Sequence, residues 1–277
     1  MNALEITNLC KSYGDFALDD LTLTVPAGSI VGLIGENGAG KSTTIKLILD
    51  MIKRDSGNIR VLGSEDVHSV LDDIGVVLDE VGIPACLDVK RLDRVMKHAY
   101  KNWSSETFFG YVKKLDLPEG KDFSQMSQGM KMKLGIAAAL SHGAQLLILD
   151  EATNGLDPVV RDEVVGELFE FTRDENHAIL ISSHIVSDLE KLCDYIAFIH
   201  KGKLMLFEQK DALREKYGVL NCSVQELAQL DQSAIVGKRV TPYGAEVLIR
   251  RDAAAGRPLS PVSIEELFIF MVKGEKA

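Results

Sequence analysis

Cysteine is scarce and unpaired in this sequence. Cys10, Cys86, Cys193 and Cys222 are scattered through 277 residues with no short spacing between them, which argues against a disulfide framework or a zinc site and for reduced thiols in a cytosolic protein. Long apolar runs are missing too: nowhere do about 18 apolar residues follow one another, and Glu5 stands near the amino terminus in place of the basic start and apolar core of a secretion signal. The chain is therefore not expected to span a membrane by itself. Positive charge is in deficit, with 31 Lys and Arg against 41 Asp and Glu and a net charge of -10. Binding to bare nucleic acid relies on clustered cations that neutralise phosphates, so nucleic acid is not an expected partner. Internal repeats and low-complexity tracts are also lacking. What is present is a 46% apolar fraction, enough for one substantial domain and a smaller one.

The apolar residues fall into two patterns. Residues 4–9, 21–25 and 58–62 alternate apolar with polar side chains, the mark of half-exposed antiparallel strands. Residues 30–34, 146–149, 178–181 and 195–199 are almost wholly apolar, the mark of buried parallel strands, and helical patterns lie between them. The predicted fold class is thus α/β, with chemistry delivered by loops at the strand ends. Between residues 83 and 140 a helical insert interrupts this core: Val89, Leu92, Met96 and Ala99 share one helix face, as do Phe108, Tyr111, Val112 and Leu115. After residue 217 a small α+β extension is predicted, with a strand at 219–223, a short helix at 224–230 and a hairpin over 236–251 turning near Pro242. A loop at 253–261 and an amphipathic helix at 264–272 complete it.

The densest chemistry follows the first wholly apolar strand. Gly35-Glu36-Asn37-Gly38-Ala39-Gly40-Lys41-Ser42-Thr43 stands between that strand and a helix-like stretch at 44–51, the expected setting of a phosphate-binding loop. Its glycines let the backbone turn so that successive N–H groups point at phosphate oxygens. Lys41 reaches the terminal phosphates, and Ser42 is placed to ligate magnesium. Nucleotide binding is the prediction, because spacing, the Lys-Ser pair and the flanking elements agree.

A second strand, Leu146-Leu147-Ile148-Leu149, ends in Asp150-Glu151. Asp150 is suited to hold magnesium and Glu151 to orient or deprotonate an attacking water. Ser183-His184 follows the next apolar strand, where a neutral imidazole would hydrogen-bond the terminal phosphate or that water. The other five histidines stand in no motif and are expected to be structural. Met126-Ser127-Gln128-Gly129-Met130 opens a helical stretch at 131–140, and a helix amino terminus favours an anion.

In this order, with Asn154-Gly155-Leu156-Asp157-Pro158 between the acidic pair and Ser183-His184, the chain resembles the ATP-binding subunits of ABC transporters over about residues 1–218. The resemblance implies a P-loop core of ABC ATPase type at 1–217, with an antiparallel β subdomain and a helical subdomain at about 83–140, followed by an accessory domain at 218–277. It implies a head-to-tail dimer, of two copies or with a second ATPase subunit. Each ATP, with magnesium, would lie between the P-loop of one subunit and Ser127, Gln128 and Gly129 of the other. Tyr13 matches the aromatic residue that stacks on adenine, and residues 154–157, Asp157 included, match a loop along the dimer interface. Lys41, Glu151 and His184 match the catalytic positions, and the helical subdomain matches the part that grips an integral membrane permease. The location implied is cytoplasmic, on the inner face of the cell membrane.

Three departures from the family pattern stand out. Asp79 occupies the position where glutamine is usual, and a carboxylate there is predicted to bind magnesium directly or through one water. Gln128 stands where glycine is usual and Met130 where glutamine is usual, while Ser127 and Gly129 persist. Ala152 replaces a common proline. Since Lys41, Ser42, Asp150, Glu151 and His184 are all present, an active ATPase is predicted. The single ATPase unit and compact extension resemble the ATPases of bacterial drug and antimicrobial-peptide exporters. The alternative is a soluble ABC ATPase that remodels ribosomes or nucleic-acid complexes, although such relatives carry two ATPase units or a long coiled-coil insert.

Overall fold

A computed structural model describes residues 2–254 and 256–274 of the chain. Two long strands come first, β1 (Asn2–Tyr13) and β2 (Phe16–Pro26), then the buried strand β3 (Ile30–Ile34), helix α1 (Lys41–Ile48) and strands β4 (Ser56–Val61) and β5 (Ile74–Val77). Three helices follow, α2 (Val89–Ala99), α3 (Ser105–Lys114) and α4 (Gln128–Ala139). Strands and helices then alternate: β6 (Leu146–Asp150), α5 (Pro158–Phe171), β7 (Ala178–Ser183), α6 (Val186–Leu192), β8 (Tyr195–His200), β9 (Lys203–Gln209) and α7 (Lys210–Lys216). The chain continues through β10 (Tyr217–Cys222), α8 (Val224–Leu227), β11 (Ile235–Thr241), β12 (Gly244–Arg250) and α9 (Ile264–Lys273). Among the described residues no helix is long and apolar enough to cross a membrane.

The alternating strands pair as predicted, in an antiparallel sheet of order β2-β1-β4. Leu4, Ile6 and Leu9 of β1 and Leu21, Leu23 and Val25 of β2 point into one core, while the residues between them face outwards. The wholly apolar strands form the centre of a six-stranded sheet of order β5-β6-β7-β3-β8-β9. Strands β3, β6 and β7 are buried on both faces, which is why their sequences do not alternate. All strands but β9 run parallel. The register sets Asp150 beside Ser182 and Ile34 beside Ser183, so β3, β6 and β7 end together and their loops emerge along one edge.

Strand β9 has no counterpart in the sequence reading. It returns antiparallel to β8 through Lys201-Gly202, at φ 46° and 77°, the two-residue positive-φ turn of a hairpin. Gly202 is required there: a Cβ would lie 1.7 Å from the carbonyl oxygen of Ala17. Half-exposed and at the sheet edge, β9 lacks the apolar run that marks its neighbours.

Helices α2, α3 and α4 enclose a separate small core around Val89, Leu92, Phe108, Val112 and Leu134. Each starts on a side-chain cap, Asp88, Ser104 and Ser127 respectively. At the carboxy end, β10, β12 and β11 make a third, antiparallel sheet. The predicted helix at 224–230 stops at Leu227 after one capped turn, because Asp231 then caps a new 3-10 turn. Helix α9 begins with a capping box of Ser263 and Glu266. Its Leu267, Phe268 and Phe270 join the large core beneath the six-stranded sheet, and the Phe268 ring centre lies 5.1 Å from that of Phe198 on β8.

Candidate active site

The loop between β3 and α1 is shaped by glycine. Gly40 has φ 118°, and a Cβ there would press on Phe16 at 3.1 Å and Leu18 at 3.2 Å. No side chain caps α1. Its first backbone hydrogen bond runs from Thr44 N to Gly40 O at 2.9 Å. The amides of Lys41, Ser42 and Thr43 are therefore the orphan donors of a helix start, suited to phosphate oxygens.

Lys41 is buried. Its Nζ donates to Gly35 O at 2.8 Å and lies 3.1 Å from Glu151 Oε1. The other Glu151 oxygen, Oε2, is 2.8 Å from His184 Nδ1 and accepts the His184 backbone N–H at 3.3 Å. A neutral His184 that donates from Nδ1 to this carboxylate has Nε2 as an acceptor. Glu151 itself adopts a left-handed backbone at φ 54°, rare for a residue with a Cβ and the kind of local strain found at functional sites. That turn separates the two carboxylates: Asp150 Oδ1 is held inward by Ser182 Oγ at 2.5 Å.

Lys41, Glu151 and His184 meet in an open cavity of about 650 Å³. Of the residues singled out from sequence, Asn37, Gly38, Gly40, Lys41, Ser42, Thr43, Asp79, Glu151 and His184 line it. Asp79 is exposed just beyond the end of β5 and lines the cavity. Gly35 and Ala39, also in the loop, do not line the cavity, and a Cβ on Gly35 would come within 2.6 Å of Ile199 O. Asp150, 5% exposed, is outside the lining.

Other predicted positions lie elsewhere. Tyr13 does not line the cavity; it is 45% exposed, and Lys11 Nζ sits 5.3 Å from its ring centre. Ser127 caps α4, accepting the Met130 N–H at 3.3 Å, and a Cβ on Gly129 would touch Val160 of α5 at 3.4 Å. Asp157 caps α5, accepting N–H groups of Val159 and Val160 at 3.0 and 3.1 Å. Gln128 begins α4 beside them. None of these four residues lines the cavity around Lys41.

Sequence reasoning missed Phe16, which lines the cavity and pairs with Tyr13 across the β1–β2 turn. Its one signal is that pairing, invisible until the turn is known. Asn154, read from the sequence only as part of an interface loop, lines the cavity as well.

The family described as ABC transporter matches residues 18–154. The lantibiotic transport ATP-binding protein SrtF of Streptococcus pyogenes is 38% identical over 211 residues, 75% of this chain and 91% of that protein. The chain belongs to the ABC transporter family. The bacitracin transport ATP-binding protein BcrA of Bacillus licheniformis is 37% identical over 210 residues, 73% of this ABC chain and 68% of its own length. A solved structure of the ATP binding subunit of an ABC transporter superposes with a TM-score of 0.70 at 27% identity, covering 76% of this chain and 92% of that one. As an ABC cassette, the chain binds nucleotide and is an ATPase.

Proposed function

We propose that this ABC ATPase powers export through a separate integral membrane permease, from the cytoplasmic face of the membrane. One observation carries the dimeric ATPase part of this reading: the cavity around Lys41 gathers the P-loop, Glu151 and His184, while Ser127, Gln128 and Gly129 lie outside it. A half-site of this kind is completed by the Ser127 region of a second subunit, head to tail, whether a second copy or a related ATPase. The α4 amino terminus would then face the phosphates, with residues 154–157 along the seam. SrtF and BcrA are named for transport of lantibiotics and bacitracin, which favours export of peptide antibiotics or similar amphipathic compounds.

The geometry supports a set of roles. Lys41 and the α1 amides bind phosphates; Glu151, oriented by its left-handed turn and by His184, activates water; Tyr13, exposed beside the loop, and Phe16 are the aromatic surfaces available to adenine. Magnesium fits the donor set, because Ser42, Asp79 and Asp150 offer only oxygen, as a hard divalent cation requires. When bound it would neutralise phosphate charge. Residues 1–217 act as the ATPase domain, with 83–140 docking the permease, and 218–277 as its accessory domain.

The test is a tagged Glu151→Gln chain recovered with magnesium-ATP from detergent-solubilised membranes. A multi-spanning partner at comparable stoichiometry is the expected result. Recovery solely with ribosomal or nucleic-acid-bound proteins would replace the exporter with a remodelling ATPase.

A further inference from the structure

We infer that Ser182, one residue before the Ser183-His184 pair, is a positioning residue that sets both carboxylates of the ATPase site. It is fully buried near the end of β7, directly beside Asp150 in the parallel register. A serine hydroxyl has one proton and can also accept. Here both capacities are used on the acidic pair. Ser182 Oγ donates to Asp150 Oδ1 at 2.5 Å and accepts the Glu151 backbone N–H at 3.1 Å.

Each bond has a distinct consequence. The donation to Oδ1 is the one hydrogen bond to the Asp150 side chain among the described residues, so it sets the rotation of that carboxylate and leaves Oδ2 for a cation. The acceptance acts on Glu151, whose φ of 54° is costly for a non-glycine residue. The Ser182 carbonyl also takes that N–H at 3.1 Å, as the sheet ladder alone would provide. The hydroxyl adds a second acceptor at the point where the chain turns left-handed and aims Glu151 at Lys41 and His184. Alanine at this position would keep the strand and the ladder but lose both side-chain bonds. The inference rests on the proposal that Asp150 holds magnesium and Glu151 activates water.

The test uses the full-length chain with Ser182→Ala, Ser182→Thr and Glu151→Gln. Measurements are kcat and KM for ATP, the magnesium concentration for half-maximal turnover, manganese affinity in the presence of ATP by electron paramagnetic resonance, and the thermal midpoint. Ser182→Ala should lower kcat about tenfold, the effect of one hydrogen bond to a charged group expressed in the transition state. It should also weaken manganese binding and raise the magnesium requirement while KM stays level, and Ser182→Thr should restore all three. If Ser182→Ala does not accumulate, Ser182→Cys takes its place, since the thiol fills the site but donates weakly.

Wild-type kcat and metal affinity in Ser182→Ala would overturn the inference. So would lost turnover that tracks a lowered thermal midpoint with manganese affinity unchanged, because that pattern describes packing. Turnover retained in Glu151→Gln would instead remove the carboxylate assignment beneath it, whatever Ser182→Ala does.

Discussion

Replacing Glu151 by glutamine should do two things at once, and the structure separates them. The carboxylate lies 3.1 Å from Lys41 Nζ and 2.8 Å from His184 Nδ1, with its side chain only 10% exposed. At that separation the attraction to Lys41 is about 5 kcal/mol for an effective dielectric near 20, most of it offset by desolvation of the pair. ATP must compete with this ion pair for the ammonium. Glutamine keeps one weak acceptor but removes the charge, and a net release of about 1.4 kcal/mol would tighten ATP binding about tenfold. Turnover should move the other way. A positioned general base contributes about 10²–10⁴ in rate, so phosphate release should fall by at least about a hundredfold, or roughly 3 kcal/mol of barrier. Calorimetric titration with ATP and single-turnover phosphate release measure the two effects on one preparation. Unchanged affinity would refute the competition for Lys41, and retained turnover would refute Glu151 as the group that activates water.

Asp79→Asn should raise the magnesium concentration for half-maximal turnover by about tenfold, as losing a group that holds or orients the metal does; unaltered metal dependence and turnover would return Asp79 to the role of an exposed loop residue. Phe268→Ala, which empties a site packed on Phe198 in the main core, should cost about 3 kcal/mol and lower the thermal midpoint of that core by about 5–10 °C. A separate, earlier transition for the carboxy-terminal segment would show that α9 is not part of that core. Thiol labelling should also divide the cysteines. Cys86 is exposed, whereas Cys193 is completely buried and burial pushes its thiol well above the usual range. Cys86 should react at once in the native protein and Cys193 only on unfolding; rapid native labelling of Cys193 would contradict its burial.

Much of the fold was readable because its strands advertise their surroundings. The wholly apolar runs became the central parallel strands, and the alternating runs became the half-exposed sheet. Strand β9 was unreadable since Lys-Leu-Met-Leu-Phe-Glu-Gln on a sheet edge carries neither pattern cleanly. The helix at 224–230 was overextended, because one capping box looks the same in a sequence whether one turn or several follow it. Within the site, the P-loop, Glu151 and His184 could be named in advance, for each sits in a short motif, and Asp79 through the resemblance alone, as the residue where the family usually has glutamine. Phe16 and Ser182 could not, as an aromatic after a turn and a serine inside an apolar strand are commonplace until their neighbours across the sheet are known.

The sequence by itself determined which chemistry the chain carries. Phosphate binding, paired carboxylates and a histidine depend on residue types at short fixed spacing, and those spacings survive any packing that keeps strand, loop and helix in order. Only the tertiary structure decided how these groups bear on one another. The register of β6 against β7 placed Ser182 under both carboxylates, the left-handed turn at Glu151 aimed one of them at Lys41 and His184, and α9 returned to fill the main core beside Phe198. Local periodicity records how fully a side chain is covered. What covers it is settled by which distant segments pack together, and that choice is made by the whole fold.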